Sequence, residues 1–197
     1  NLSAYRYQMG STALGNKVYF GGGSIVTGIS SLVDIYDINS QQWTSDHFDI
    51  ARSFPVAVSC GSKVFFAGGI LSSGATTSSV QIFDTLTQLW SSAQLSQARF
   101  SMAAVGKGNM VVFAGGGDLS MEKEYAVVDI YNTETDQWTT ATLSEARGAM
   151  GSTVIGELAF FAGGFNFTTG TVTDKIDIYN FSTGTWSTAM LSEPRFF

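Results

Sequence analysis

Four times along this chain an apolar run closes on two glycines: VYFGGG (18–23), VFFAGG (64–69), VVFAGG (111–116) and AFFAGG (159–164). The pairs are Gly22 and Gly23, Gly68 and Gly69, Gly115 and Gly116, and Gly163 and Gly164. After each run comes a segment that alternates apolar and polar positions: VDIYD (33–37), VQIFD (80–84), VDIYN (128–132) and IDIYN (176–180). In the first of these Val33 and Ile35 fall on one face and Asp34 and Tyr36 on the other, the period of two that marks a β-strand. Seven positions after Tyr36, Phe83, Tyr131 and Tyr179 stand Trp43, Trp90, Trp138 and Trp186. Ahead of each apolar run lies a segment of small residues that opens on an arginine and ends on a glycine: 6–15, 52–61, 99–108 and 147–156. These segments are short, rich in β-branched and aromatic residues, and bounded by turn residues, so each predicts a strand. No segment carries a helical period.

The repeat is regular. Arg6, Arg52, Arg99, Arg147 and Arg195 are the chain's only arginines, and they recur every 46 to 48 residues, as do the four tryptophans. A fixed period of that length signals an array of one supersecondary unit. The units run over approximately 6–51, 52–98, 99–146 and 147–194, within one repeat region covering 1–197. Four strands per unit predict an all-β fold, a β-propeller of four-stranded antiparallel blades. Small residues in the first strand suit crowding near a propeller axis, while Phe, Tyr and Trp in later strands fill the widening gaps between blades. Asp37, Asp84, Asn132 and Asn180 open the connection to the tryptophan strand, where their side chains bond nearby amides.

A glycine pair after an apolar strand, then a tyrosine and a tryptophan at fixed spacing, resembles the kelch repeat. Phe83 in place of tyrosine is a mild departure. The resemblance implies propeller blades, most often six or seven, that mostly present a surface to protein partners; a few relatives are copper enzymes of the galactose-oxidase type. Leu191 to Phe197 (LSEPRFF) restarts the lead-in seen at 143–147 (LSEAR). The expectation is therefore a segment of a longer propeller, with a four-blade ring or an assembly of several copies as the alternatives.

Composition narrows the function. Charged residues make up 13% of the chain and the net charge is −6, so no basic patch exists to neutralise phosphates, which argues against nucleic-acid binding. No apolar run reaches the length of a membrane span, so no membrane insertion is expected. One cysteine, Cys60, excludes an internal disulfide framework, and one histidine, His47, cannot build the usual zinc or copper site. No catalytic set, metal or cofactor is expected. The copper-radical alternative fails unless its ligands lie outside this chain.

The first reading is thus a non-catalytic protein-interaction module. The second is a structural or assembly protein whose blades pack on other copies or chains. A carbohydrate-binding role is a further alternative. Because strands alternate direction, the loops at 24–32, 70–79, 117–127 and 165–175 share a face with the unit-to-unit connections. Arg6, Arg52, Arg99 and Arg147 would then ring the mouth of a central channel and hold carboxylates, as implied by kelch proteins that capture acidic peptides. The competing role for them is fastening the blades. Two loops break the repeat. One concentrates charge in Asp118, Glu122, Lys123, Glu124 and Tyr125. The other places Phe165 and Phe167 around Asn166. Asn1, Asn166 and Asn180 open N-x-[ST] sequons, candidates for glycosylation that lean the chain toward an extracellular location.

Overall fold

In a computed structural model the fold is described for residues 1–196; Phe197, the end of the repeated lead-in, lies outside the described residues. The described residues contain no helix. They form two compact units, Asn1–Phe100 and Ser101–Phe197.

Each unit holds two four-stranded sheets. In the first unit, one sheet is built from Gly10–Leu14, Lys17–Gly21, Leu32–Asp37 and Gln42–His47. The other is built from Val56–Cys60, Lys63–Ala67, Ser79–Asp84 and Leu89–Gln94. The second unit repeats the plan with Ala103–Lys107, Met110–Ala114, Val127–Asn132 and Gln137–Thr142, then Gly151–Ile155, Leu158–Ala162, Lys175–Asn180 and Thr185–Met190. Neighbours in sequence are neighbours in every sheet, and all pair antiparallel. This is the four-stranded blade that the hydrophobic pattern predicts.

The core explains the pattern. The second strand is apolar after its first residue because both faces are covered: Val64, Phe65, Phe66 and Ala67 are fully buried, as are Val111 through Ala114. The tryptophan register is equally specific. Tyr36 lies opposite Trp43, Tyr131 opposite Trp138 and Tyr179 opposite Trp186 in their antiparallel ladders. Their ring centroids sit 4.8–5.0 Å apart, and Phe83 keeps the same 5.0 Å spacing to Trp90. A second-strand phenylalanine completes each trio, with Phe20, Phe66, Phe113 and Phe161 lying 6.0–6.5 Å from their tryptophans. Aromatic pairs in such tilted arrangements add to their area burial.

The turns behave as their residues predict. Oδ1 of Asp37 accepts the amides of Asn39 and Ser40, and Oδ1 of Asn132 and Asn180 accepts the two equivalent amides. The glycine pair has a further purpose. Gly22, Gly115 and Gly163 have φ of +69°, +61° and +64°. A Cβ there would lie 2.3–2.4 Å from the carbonyl oxygen of Arg52, Arg147 and Arg195 respectively. The second glycine of each pair then donates its N–H to that same carbonyl, at 2.8–3.1 Å across the four repeats. The pair thus docks each blade onto the lead-in of the next.

Candidate functional site

The repeated arginines are interior residues. Arg52 and Arg99 are fully buried, Arg147 is 1% exposed and Arg6 is 8% exposed. Arg6, Arg52 and Arg147 grip the blade that follows them. Arg6 donates to the carbonyls of Gly22 and Leu32 and pairs with Asp34. Arg147 donates to the carbonyls of Gly163 (2.8 Å) and Phe161 (3.2 Å) and pairs with Asp177 at 2.8 Å. Arg52 donates to the carbonyls of Gly68 and Ser79 and to the Ser79 hydroxyl. A buried guanidinium that donates mainly to carbonyls of its own blade presents little to a ligand. The expectation was that Arg6, Arg52, Arg99 and Arg147 line a channel mouth; the burial of all four, and the blade carbonyls bonded by Arg6, Arg52 and Arg147, favour the fastening role instead. They join the ends of the second and third strands, where chain reversal would otherwise leave carbonyls unsatisfied. Arg195 differs: it is exposed and donates to its own Glu193 carbonyl and Ser192 hydroxyl.

The acids at Asp34, Asp129 and Asp177 are buried beside this system. In two blades a serine three positions before the arginine also binds the acid: Ser3 on Asp34, and Ser144 on Asp177. The second blade exchanges these chemistries. Gln81 stands at the acid position and Asp49 at the serine position. Arg52 consequently has no buried carboxylate at that place. Burial pulls its pKa down from the usual arginine range to about 10, and the charge of Asp49 opposes the fall.

The residues that break the repeat come together in the second unit. The third-blade loop folds as a small hairpin, Gly117–Asp118 with Lys123–Glu124, and the fourth-blade loop as another, Phe165–Asn166 with Thr171–Val172. Thr168, at the tip of the second hairpin, joins the two. Its hydroxyl donates to the Glu122 carbonyl at 2.7 Å and to the Glu124 carboxylate at 3.2 Å, and its amide donates to the same carboxylate at 3.2 Å. Glu124 and Tyr125 are buried, not solvated, and Lys123 lies over the Tyr125 ring at 5.5 Å. Asp118 organises its own tip by accepting the Ser120 hydroxyl and the amides of Ser120 and Met121. Phe165 packs on Phe167 and Phe196 at 4.7 and 5.0 Å.

The clasp leaves apolar side chains outside. Leu119, Met121, Phe167 and Phe196 are each 54–64% exposed. Of these only Phe167 stands out in the sequence reading. Leu119, Met121 and Thr168 do not, because a lone leucine, methionine or threonine in a loop carries no pattern. Their signal was the position: all three occur in the loops that break the repeat.

Two other openings are less suited to a ligand. A groove of about 450 Å³ in the first unit is lined by Leu14, Asn16, Lys17, Tyr19, Ser62 and Leu86 among others. Its polar groups are largely committed, with Asn16 on Asp37, Ser62 on Asp84 and Thr85 on the Ser62 carbonyl. A cleft of about 220 Å³ beside the fourth-blade hairpin is lined by Glu145, Arg147, Asn166 and three threonines. There the Asn166 Nδ2, the atom a glycan would occupy, donates to the Ala146 carbonyl at 2.9 Å. Asn180 uses its Oδ1 to cap a turn, and Asn1 is exposed.

Repeated four-stranded antiparallel blades fastened by a buried arginine define a β-propeller. A family model described as Kelch motif matches residues 51–94 and 146–190, the second and fourth blades. Two of the four blades thus carry kelch motifs. A solved structure described as the structure of YjhT aligns with a TM-score of 0.78 over 97% of this chain and 72% of that one. At 17% identity that likeness carries the fold alone. No curated protein sequence matches the chain.

Proposed function

We propose that this chain is a non-catalytic protein-interaction module whose contact surface is the pair of clasped hairpins in the second unit. Kelch blades are compatible with such a role. The observation that carries the reading is the Thr168 clasp, which sets two loop tips side by side with Leu119, Met121 and Phe167 turned outward. A preordered tip loses less entropy on binding than a free loop. Clustered exposed apolar side chains with polar neighbours mark protein contact surfaces. The arginines contribute indirectly, by holding the blades on which the hairpins stand. Among the described residues no helix is long and apolar enough to cross a membrane.

The test is site-specific photo-crosslinking. A benzophenone side chain placed at Met121 or Phe167 should give discrete protein adducts in an extract of the native source. The same group at Leu86, an exposed leucine of the first unit, should give none. Adduct patterns that do not differ between these positions would refute the assignment of the surface.

A further inference from the structure

The charge of this chain is segregated. Asn1–Phe100 contains five acidic residues against five Lys and Arg, whereas Ser101–Phe197 contains eleven against five, so the whole net charge of −6 belongs to the second unit. Three of its acids, Glu134, Asp136 and Glu157, belong to turns at the opposite ends of the strands, and Asp129 and Asp177 are buried in the blades. The remaining six lie on the loop side. Glu124 is enclosed in the clasp, and Glu145 is paired with Lys175 at 3.5 Å. Asp118 orders the hairpin tip. Among the described residues, no ion pair compensates Glu122, Asp174 or Glu193. The loop-side cations are three: Lys123 on the Tyr125 ring, Lys175 on Glu145, and Arg195.

We infer that the clasped hairpins bind a basic amphipathic protein segment, one that presents Lys or Arg beside a row of large apolar side chains. The inference rests on the contact surface proposed above and adds the chemistry of its partner. Leu119, Met121 and Phe167 supply the apolar floor, and methionine adapts its shape to varied side chains. Asp118 and Glu122 share the hairpin tip with Leu119 and Met121, and the net negative charge of the second unit attracts a cationic segment and repels an acidic one. A carboxylate-bearing peptide would meet repulsion here, and the buried arginines offer it no compensation.

The probe is an 18-residue peptide of lysine and leucine arranged as an amphipathic helix, labelled for fluorescence anisotropy, with a glutamate and leucine peptide of the same pattern as the comparison. The intact chain is expected to bind the lysine peptide at least tenfold more tightly. Binding should weaken at least tenfold when Met121→Ser and Phe167→Ser are combined, and again when salt is raised from about 50 to about 300 mM, since exposed charges are screened over about 10 Å near 0.1 M. Leu86→Ser in the first unit should change nothing. Equal binding of the two peptides, or full binding after the Met121 and Phe167 substitutions, overturns the inference. If the lysine peptide fails while crosslinks from Met121 and Phe167 persist, the partner chemistry is wrong and the surface stands. If the crosslinks are absent too, both readings fall.

Discussion

The second blade offers a quantitative test of the arginine fastener. Arg52 is fully buried, yet the position that carries Asp34 and Asp177 in other blades holds Gln81. A guanidinium drawn down from its usual range to about 10 is about 3 kcal/mol worse off as a cation than in water, at roughly 1.4 kcal/mol per tenfold change. Asp49 offsets part of this from outside, at the position where Ser3 and Ser144 serve the other blades. Gln81→Asp alone places a buried carboxylate beside Arg52 but also near the charge of Asp49. Its new Coulombic gain is largely cancelled by desolvation and like-charge repulsion, so stability should change by less than about 0.5 kcal/mol. Asp49→Ser alone removes an exposed charge and should cost under about 1 kcal/mol. Together the two substitutions recreate the arrangement of the first and fourth blades and should stabilise by about 1–2 kcal/mol. The coupling between them is then about 2 kcal/mol, well above the additivity expected of independent sites. Thermal and urea unfolding of the four proteins measure it; for a chain of this size 1 kcal/mol moves Tm by about 2–4 °C. Additive effects within about 0.5 kcal/mol would show that the exchange of Ser and Asp for Asp and Gln is unrelated to Arg52, and the fastener argument would lose its energetic basis.

Removing a paired arginine should be far costlier. Arg147→Met leaves Asp177 buried without its cation and should destabilise by about 3–5 kcal/mol in urea melts; a variant that folds normally would return Arg147 to a binding role. Gly115→Ala sets a Cβ 2.3 Å from the Arg147 carbonyl at positive φ and should cost at least about 3 kcal/mol. At Gly156, also at positive φ but with open space, the same change should cost only about 1 kcal/mol; equal costs would remove the docking role of the glycine pair. Acid stability should depend on two turns. The Ser40 amide holds the Asp37 carboxyl below its ordinary value, and the Leu86 amide does so for Asp84. A folded pKa below the unfolded one stabilises above the unfolded value and loses that stabilisation as pH falls through the folded one. Tm should therefore drop below about pH 4, and Asp37→Asn with Asp84→Asn should flatten that drop while preserving the turns, as Asn132 and Asn180 do naturally. An unchanged acid profile in the double variant would discount the two turns.

The blade was legible because its causes are periodic. Alternation, glycine pairs and the tyrosine–tryptophan register each reflect a local packing demand that recurs at every unit, and the structure satisfies them at the same distances four times. The arginines were harder. Their period was plain, but a periodic arginine fits a ring of ligand donors as well as a set of internal braces. Only burial and the direction of the guanidinium distinguish the two, and those depend on carbonyls contributed by the ends of distant strands. The clasp was not legible at all, because Thr168 and Glu124 lie 44 residues apart and belong to different loops.

The same contrast bears on where function resides. An arginine that has given its donors to backbone carbonyls has little left for a ligand, however many copies surround it. The arginine recurs in every blade even where its partners change, as at Gln81, so the recurring residues account for the fold. A loop that grows in one unit is released from that constraint, and two adjacent released loops can stabilise each other, as Thr168 does with Glu122 and Glu124. Charge follows the same division. The first unit, whose loop at 70–79 carries no acid, is neutral, while the unit with the clasped hairpins holds the entire net negative charge. Selectivity for a partner would then come from these departures, and substitutions in the hairpin tips should alter binding without altering the blades.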